Sequence, residues 1–323
     1  MQTLIIIIFQ ESFLSLFKQV VKVSFSKMQE GFVDINNVPT LVTTYGRWIT
    51  DKPEKNGTEE TIILIIPANN GSTGFYRPFM KILHMKYNCP VWIVANSGHD
   101  IPPGKDMPEK ILGLKEQTRQ KVTFFENYIP EDAKVHLIGH SVGCHMVLEM
   151  LKVPQIERKV NKAHLLFPLI ERLQEGKKGM SLKKNEKYQF LLIFVLWLFY
   201  ILPEIISGSL LKAFKIPGKD VPFILSTFNP KVLKQVLLVA SDELEQVNKR
   251  DNDVIKKNIN KLRMLYAEGD GWLPSTCYDD LLKDFPKLKA DMSHFEHAFY
   301  MKSSHEVAEI VSKWISEPVP RYY

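Results

Sequence analysis

A chain of 323 residues with 45% hydrophobic content can bury a core without disulfide or metal staples, as one large domain or two small ones. Its three cysteines, Cys89, Cys144 and Cys277, stand far apart with no Cys-x-x-Cys pair. That argues against a disulfide framework or a cysteine zinc site and points to reduced thiols facing a cytosolic compartment. A formal charge of +6 suits an anionic membrane surface but is too small to imply nucleic acid, for which the sequence carries no module.

At the N-terminus, residues 4–9 form a short apolar run with no basic stretch ahead of it, and they lead into Glu11, so a secretory signal is not expected. Phe13, Leu14, Leu16, Phe17, Val20, Val21 and Val23 leave Lys18 and Lys22 on another side, as in an amphipathic helix lying on a membrane or on the protein body. Residues 1–31 are read as an extension, with Met28 an alternative start. From residue 32 onward, short apolar runs bounded by Gly, Pro or Asn alternate with longer mixed segments. The runs predict strands at 61–66, 91–95, 134–138, 163–167, 262–267 and 288–292; helices are expected at 76–87, 115–128, 142–152 and 306–315. Several strands are apolar throughout, as strands covered on both faces of a parallel sheet must be. This order predicts an α/β fold with a doubly wound, mostly parallel sheet, right-handed crossovers and an active site at the carboxyl ends of the strands.

The alternation stops between residues 169 and 260, too long a stretch for one connection, so it reads as an inserted helical cap in a core made of 32–168 and 261–323. Within it, 190–202 is a run of thirteen apolar or aromatic residues. A spanning helix needs about 20, so this run is short for a crossing. Lys177, Lys178, Lys183, Lys184 and Lys187 precede it, the flank expected where a segment dips into one leaflet from the cytosolic side. Monotopic membrane association is one reading of 190–202 and a buried cap helix the other; 210–216 extends a membrane-facing surface in the first.

Gly139-His140-Ser141-Val142-Gly143 has the Gly-x-Ser-x-Gly form that places a serine on a sharp strand-to-helix turn, where only small neighbours fit. An apolar strand precedes it and a helical pattern follows, so the context matches an α/β-hydrolase nucleophile at Ser141. Such a serine needs an acid and then a histidine later in the chain. Asp270, in a glycine-flanked turn after the strand at 262–267, is the expected acid, with Glu268 its competitor. His297, between the last predicted strand and the last helix, is the expected base; His294 and His305 read as surface or capping residues. Two backbone amides must meet the oxyanion. Val142 supplies one, and Asn69 or Asn70, in the turn after the strand at 61–66, supplies the other. His99 reads as a loop histidine or a pocket-lining one.

Several segments resemble the lipid droplet-associated hydrolases, a branch of the α/β hydrolases. Besides the serine motif they are Leu165-Leu166-Phe167-Pro168-Leu169-Ile170-Glu171-Arg172, Lys249-Arg250-Asp251-Asn252-Asp253, Asp270 with Trp272 and Pro274, and His297-Ala298-Phe299. The resemblance covers roughly residues 60–315. It implies Ser141 as nucleophile, Asp270 as acid and His297 as base, action on neutral lipid or sterol esters, and a cap anchored to lipid droplets and the endoplasmic reticulum, on their cytosolic face. One departure is clear: the family's early loop reads Pro-Gly-Asn-Pro-Gly, whereas this chain has Pro67-Ala68-Asn69-Asn70-Gly71. The expected activity is therefore ester hydrolysis through an acyl-serine, without metal or organic cofactor. The expected partners are a neutral lipid ester, the droplet monolayer and the endoplasmic reticulum membrane. A droplet-organising protein with little turnover and an acyltransferase using the same serine are the alternatives.

Overall fold

The computed structural model describes residues 28–53, 59–69, 72–104, 112–185, 201–202, 206, 209 and 229–318. Eight strands form one sheet in the order β1-β2-β4-β3-β5-β6-β7-β8: β1 Met28–Ile35, β2 Val38–Tyr45, β3 Thr61–Ile66, β4 Val91–Val94, β5 Lys134–His140, β6 Val160–Leu166, β7 Leu262–Ala267 and β8 Lys289–Ser293. From β4 to β8 every neighbouring pair is parallel, while β1 and β2 join the edge in antiparallel pairing. Helices α1 Thr73–Tyr87, α2 Leu114–Tyr128, α3 Val142–Met150, α4 Pro154–Lys159, α8 Cys277–Asp284 and α9 Ser304–Ser316 accompany the sheet.

Both faces of the central strands are covered, which is why they read as unbroken apolar runs. Ile62, Leu64, Val135, Leu137 and Met264 pack on one face with Phe124 of α2 and Val147 of α3. Ile63, Ile65, Ile93 and Leu265 pack on the other with Tyr76 and Phe79 of α1 and Val307 and Val311 of α9. Burying each large apolar side chain contributes about 1.5–3 kcal/mol, so the central strands form a rigid base for the loops at their carboxyl ends.

The hairpin β1–β2 lies outside the strands expected from sequence, and β1 begins at Met28, inside the interval 1–31. Its turn is made by Asn36 and Asn37, with φ of 51° and 62°. Two consecutive left-handed residues give the turn whose twist matches that of the flanking strands, and asparagine tolerates that region well.

The chain leaves the sheet after Leu166 and rejoins it at Leu262. Between these points lie a short 3-10 turn at Leu173–Glu175, α5 Lys177–Asn185, α6 Pro230–Gln246 and α7 Asn252–Lys257. Helix α6 turns Val232, Gln235, Val239 and Glu243 inward, a stripe at helical spacing that is half polar. The amphipathic reading of the first 27 residues, Asn70, the segments 190–200 and 210–216, and Lys187 lie outside the described residues; Ile201 and Leu202 are described and exposed. Among the described residues no helix is long and apolar enough to cross a membrane.

Candidate active site

Strand β5 ends at His140, and Ser141 turns the chain into α3 with φ 57° and ψ −124°. A non-glycine residue held there costs on the order of 1–3 kcal/mol, and the surrounding bonds hold it. Ser141 N donates to Leu166 O at 3.0 Å, while its carbonyl accepts from Cys144 N at 2.9 Å and Leu169 N at 3.2 Å. The flanking glycines are required by space. A Cβ on Gly143 would lie 2.3 Å from Ile66 O, and one on Gly139 would lie 2.8 Å from the Cα of Cys144.

The turn directs Ser141 Oγ at the ring of His297, whose Nε2 is 2.8 Å away. His297 Nδ1 is 2.7 Å from Asp270 Oδ2. A carboxylate only accepts, so Nδ1 carries the ring proton and Nε2 is left to accept from the serine hydroxyl. The three residues come from the carboxyl ends of β5, β7 and β8, one edge of the sheet. Both Asp270 and His297 have side chains only 13% exposed, so their bond is shielded from water. Lys178 of α5 approaches the other carboxylate oxygen of Asp270 at 3.7 Å and lies over the Trp272 ring. Glu268, two residues earlier, is exposed, as are His294 and His305, and none of them joins the set.

A second polar chain, which sequence reasoning did not single out, runs beneath the first. His140, buried at 1% exposure, places Nε2 2.8 Å from His297 O and Nδ1 2.6 Å from Tyr76 Oη. Burial, reinforced by the neighbouring His297, holds its pKa down at about 3, so the ring is neutral with one proton. The carbonyl can only accept, which puts that proton on Nε2. Tyr76 O–H then donates to Nδ1, and the phenol oxygen accepts from Ala68 N at 3.1 Å. The sequence signal was present: a histidine directly before the serine, with an aromatic residue in the helix that follows the early loop.

This chain engages the Ala68 amide. Ala68 is not among the residues with positive φ, so the turn does not require glycine there. Asn96, just beyond β4, holds the same turn, its Nδ2 donating to Ala68 O at 3.0 Å and Asn69 O at 3.3 Å. The Asn69 side chain donates to Val236 O of α6 at 3.0 Å. At the other side, Val142 is the first residue of α3, where helices leave N–H groups without an intrahelical acceptor. His99 follows β4 as expected; burial lowers its pKa to about 3, so it stays neutral.

The landmark Glu171 closes the base of the inserted segment. Its carboxylate meets Arg250 Nη1 at 2.8 Å, Arg250 also bonds Asp284, and Asp251 caps α7 by accepting from Val254 N at 3.1 Å.

The family profile described as "Lipid-droplet associated hydrolase" matches residues 59–300. Relatives named lipid droplet-associated hydrolase include one from Drosophila melanogaster, 34% identical over 311 residues that cover 90% of this chain and 99% of its own. One from Mus musculus is 34% identical over 321 residues, 91% of this chain and 97% of its own, and one from Homo sapiens is 29% identical over 327 residues with the same coverage. Among solved structures, a haloalkane dehalogenase from Agrobacterium tumefaciens superposes with a TM-score of 0.62 at 12% identity, over 90% of this chain and 97% of that one. A bromoperoxidase from Bacillus anthracis does so with a TM-score of 0.58 at 12% identity, over 90% and 100%. At such identity these neighbours speak for the fold alone. By fold the protein is an α/β hydrolase, and the chain belongs to the lipid droplet-associated hydrolase family.

Proposed function

We propose that the protein is a serine esterase that hydrolyses neutral lipid esters, sterol esters first among them, at the surface of lipid droplets and on the cytosolic face of the endoplasmic reticulum. The observation that carries the chemistry is the series Ser141 Oγ, His297 Nε2, His297 Nδ1 and Asp270 Oδ2, with contacts of 2.8 and 2.7 Å. His297 Nε2 takes the proton of Ser141 as Oγ attacks the ester carbonyl carbon. The carbonyl oxygen becomes an oxyanion that faces the Val142 amide and the backbone at Asn69. Collapse breaks the bond to the alcohol oxygen, which receives the proton from His297. Water then attacks the acyl-serine with His297 again as base, releasing the acid. Asp270 keeps the ring in the required tautomer and stabilises its protonated form.

The substrate class is supported by the relatives' name and by the lysine-flanked apolar run 190–202, which suits insertion into a monolayer. A surface-bound enzyme meets an insoluble ester at high local concentration, so the surface contributes delivery rather than bond chemistry. The test is fluorophosphonate labelling of the purified full chain, followed by turnover of cholesteryl, glyceryl and short-chain esters in detergent micelles. Wild type should label and release acid, and Ser141→Ala should do neither. Labelling that survives in Ser141→Ala, or a labelled wild type that turns over no ester, would overturn the proposal.

A further inference from the structure

A cavity of about 610 Å³ opens between α5, the loop that carries Asp270 and the start of α8. Its walls are mostly apolar, with Phe167, Met180, Leu273, Pro274, Tyr278 and Met292 among them. Asp270 lines it, whereas Ser141 and His297 do not. The α5 wall is fixed to the acid loop: Lys178 N donates to Gly271 O at 2.8 Å, and a Cβ on Gly176 would stand 1.9 Å from Trp272 O. Met180 and Met292, 50% and 44% exposed, give the cavity an apolar mouth. A preformed apolar space of this size suits a small organic ligand.

Two of the lining residues carry a buried polar atom with no hydrogen-bond partner, Tyr266 Oη and Asp270 Oδ1. Lys178 Nζ, 3.7 Å from Asp270 Oδ1, stands beyond hydrogen-bond distance. Buried groups left unmet are costly, so a ligand that supplies their partners gains by binding. The phenol offers a hydrogen and the carboxylate only accepts one. A hydroxyl group matches both, because it accepts and donates; an ester carbonyl would match the phenol alone. The charged residues of the lining are Glu175, Glu268 and Asp270 against Lys177, a balance that disfavours a carboxylate or phosphate head. The apolar walls disfavour a ligand that is polar throughout.

We propose that this cavity is a binding site for a lipid alcohol, a hydroxyl group on an apolar body. The hydroxyl is anchored by the unpartnered groups of Tyr266 and Asp270, and the body lies against Met180, Leu273 and Met292. The site stands whether or not Ser141 is an esterase nucleophile. Under the esterase reading the ligand class is that of the released alcohol, and a bound alcohol touches the carboxylate that orients His297.

The test uses the full chain carrying Ser141→Ala, which makes binding independent of turnover, and a decanol bearing a diazirine, crosslinked by light and mapped by peptide mass spectrometry. Crosslinks should fall in α5, in the segment 268–278 or at Met292. Free decanol should compete for them, and decanoate about tenfold more weakly, because a charge is costly to bury beside carboxylates. Adding Tyr266→Phe removes a hydroxyl that has no protein partner, so the fold is kept while competition by decanol should weaken about fivefold. Met180→Trp with Met292→Trp, at exposed positions, should block the mouth and abolish these crosslinks. The proposal is overturned if the crosslinks fall elsewhere or survive the paired tryptophans. It is equally overturned if decanoate competes as well as decanol, or if Tyr266→Phe leaves competition by decanol unchanged.

Discussion

The guanidinium of Arg250 and the carboxylate of Glu171 meet at 2.8 Å with side chains only 7% and 8% exposed, joining the two ends of the inserted segment where it leaves and re-enters the sheet. Burial raises the pKa of Glu171 and Arg250 opposes the rise, so the carboxylate depends on its partner to remain charged.

Removing one member of such a pair strands the other. Glu171→Gln or Arg250→Met should each lower unfolding free energy by about 3–5 kcal/mol, whereas replacing both with apolar residues of similar volume should recover much of the loss. Urea denaturation of the single and double variants measures this. Additive losses in the double variant would show that the two side chains do not act as a pair.

Tyr76 joins the early turn to the base loop through one hydroxyl. Tyr76→Phe leaves the ring packing against Phe299 intact but deprives Ala68 N–H and His140 Nδ1 of their common partner. Each unsatisfied buried group costs about 1–3 kcal/mol, so the variant should unfold at lower urea. Under the esterase reading it should also label with fluorophosphonate several-fold more slowly. Wild-type values in both assays would show that the hydroxyl contributes nothing.

Acid should weaken the fold. His99 and His140, at about 3, and His136, at about 4, are held below their ordinary range chiefly by burial, which also lowers His145 and His164. In the unfolded chain each titrates near 6.5, so between about pH 6.5 and 4 the unfolded state binds protons that the folded state does not. Their stabilising effect is complete above that window and is lost as pH falls through it. Three buried acids act in the opposite sense, Asp100 at about 6, Glu243 at about 8 and Glu171, which burial also raises. Five histidines against three acids leave the unfolded state binding more protons toward the acid end of this range, so stability falls on acidification. The urea midpoint followed from pH 7 to pH 5 should drop, and His136→Gln should flatten the drop. A midpoint constant across that range would contradict this assignment of neutral buried histidines.

Much of the architecture was legible in the chain because buried parallel strands announce themselves as short apolar runs. The predicted strands at 61–66 and 262–267 coincide with β3 and β7. The hairpin β1–β2 was not legible from apolar runs, since Glu30, Asp34, Thr40, Thr43 and Thr44 interrupt its apolar positions. Its local signal was the Asn36-Asn37 pair, which marks a turn only once the strands on both sides are suspected.

By itself the sequence determined the turn at Ser141, because a strand, a helix and the Gly-x-Ser-x-Gly spacing between them are all local facts. It also ordered Asp270 and His297 along the chain. Only the tertiary structure decided that Asp270 rather than Glu268 meets His297, that Ala68 N–H is taken by Tyr76, and that the Asn69 side chain reaches Val236 O. Those are contacts between residues 8 to 167 positions apart, set by how parallel strands bring their carboxyl ends to one edge. Local periodicity fixes which face of an element is apolar; which side chains then meet across the edge depends on register and crossover, which no single segment encodes.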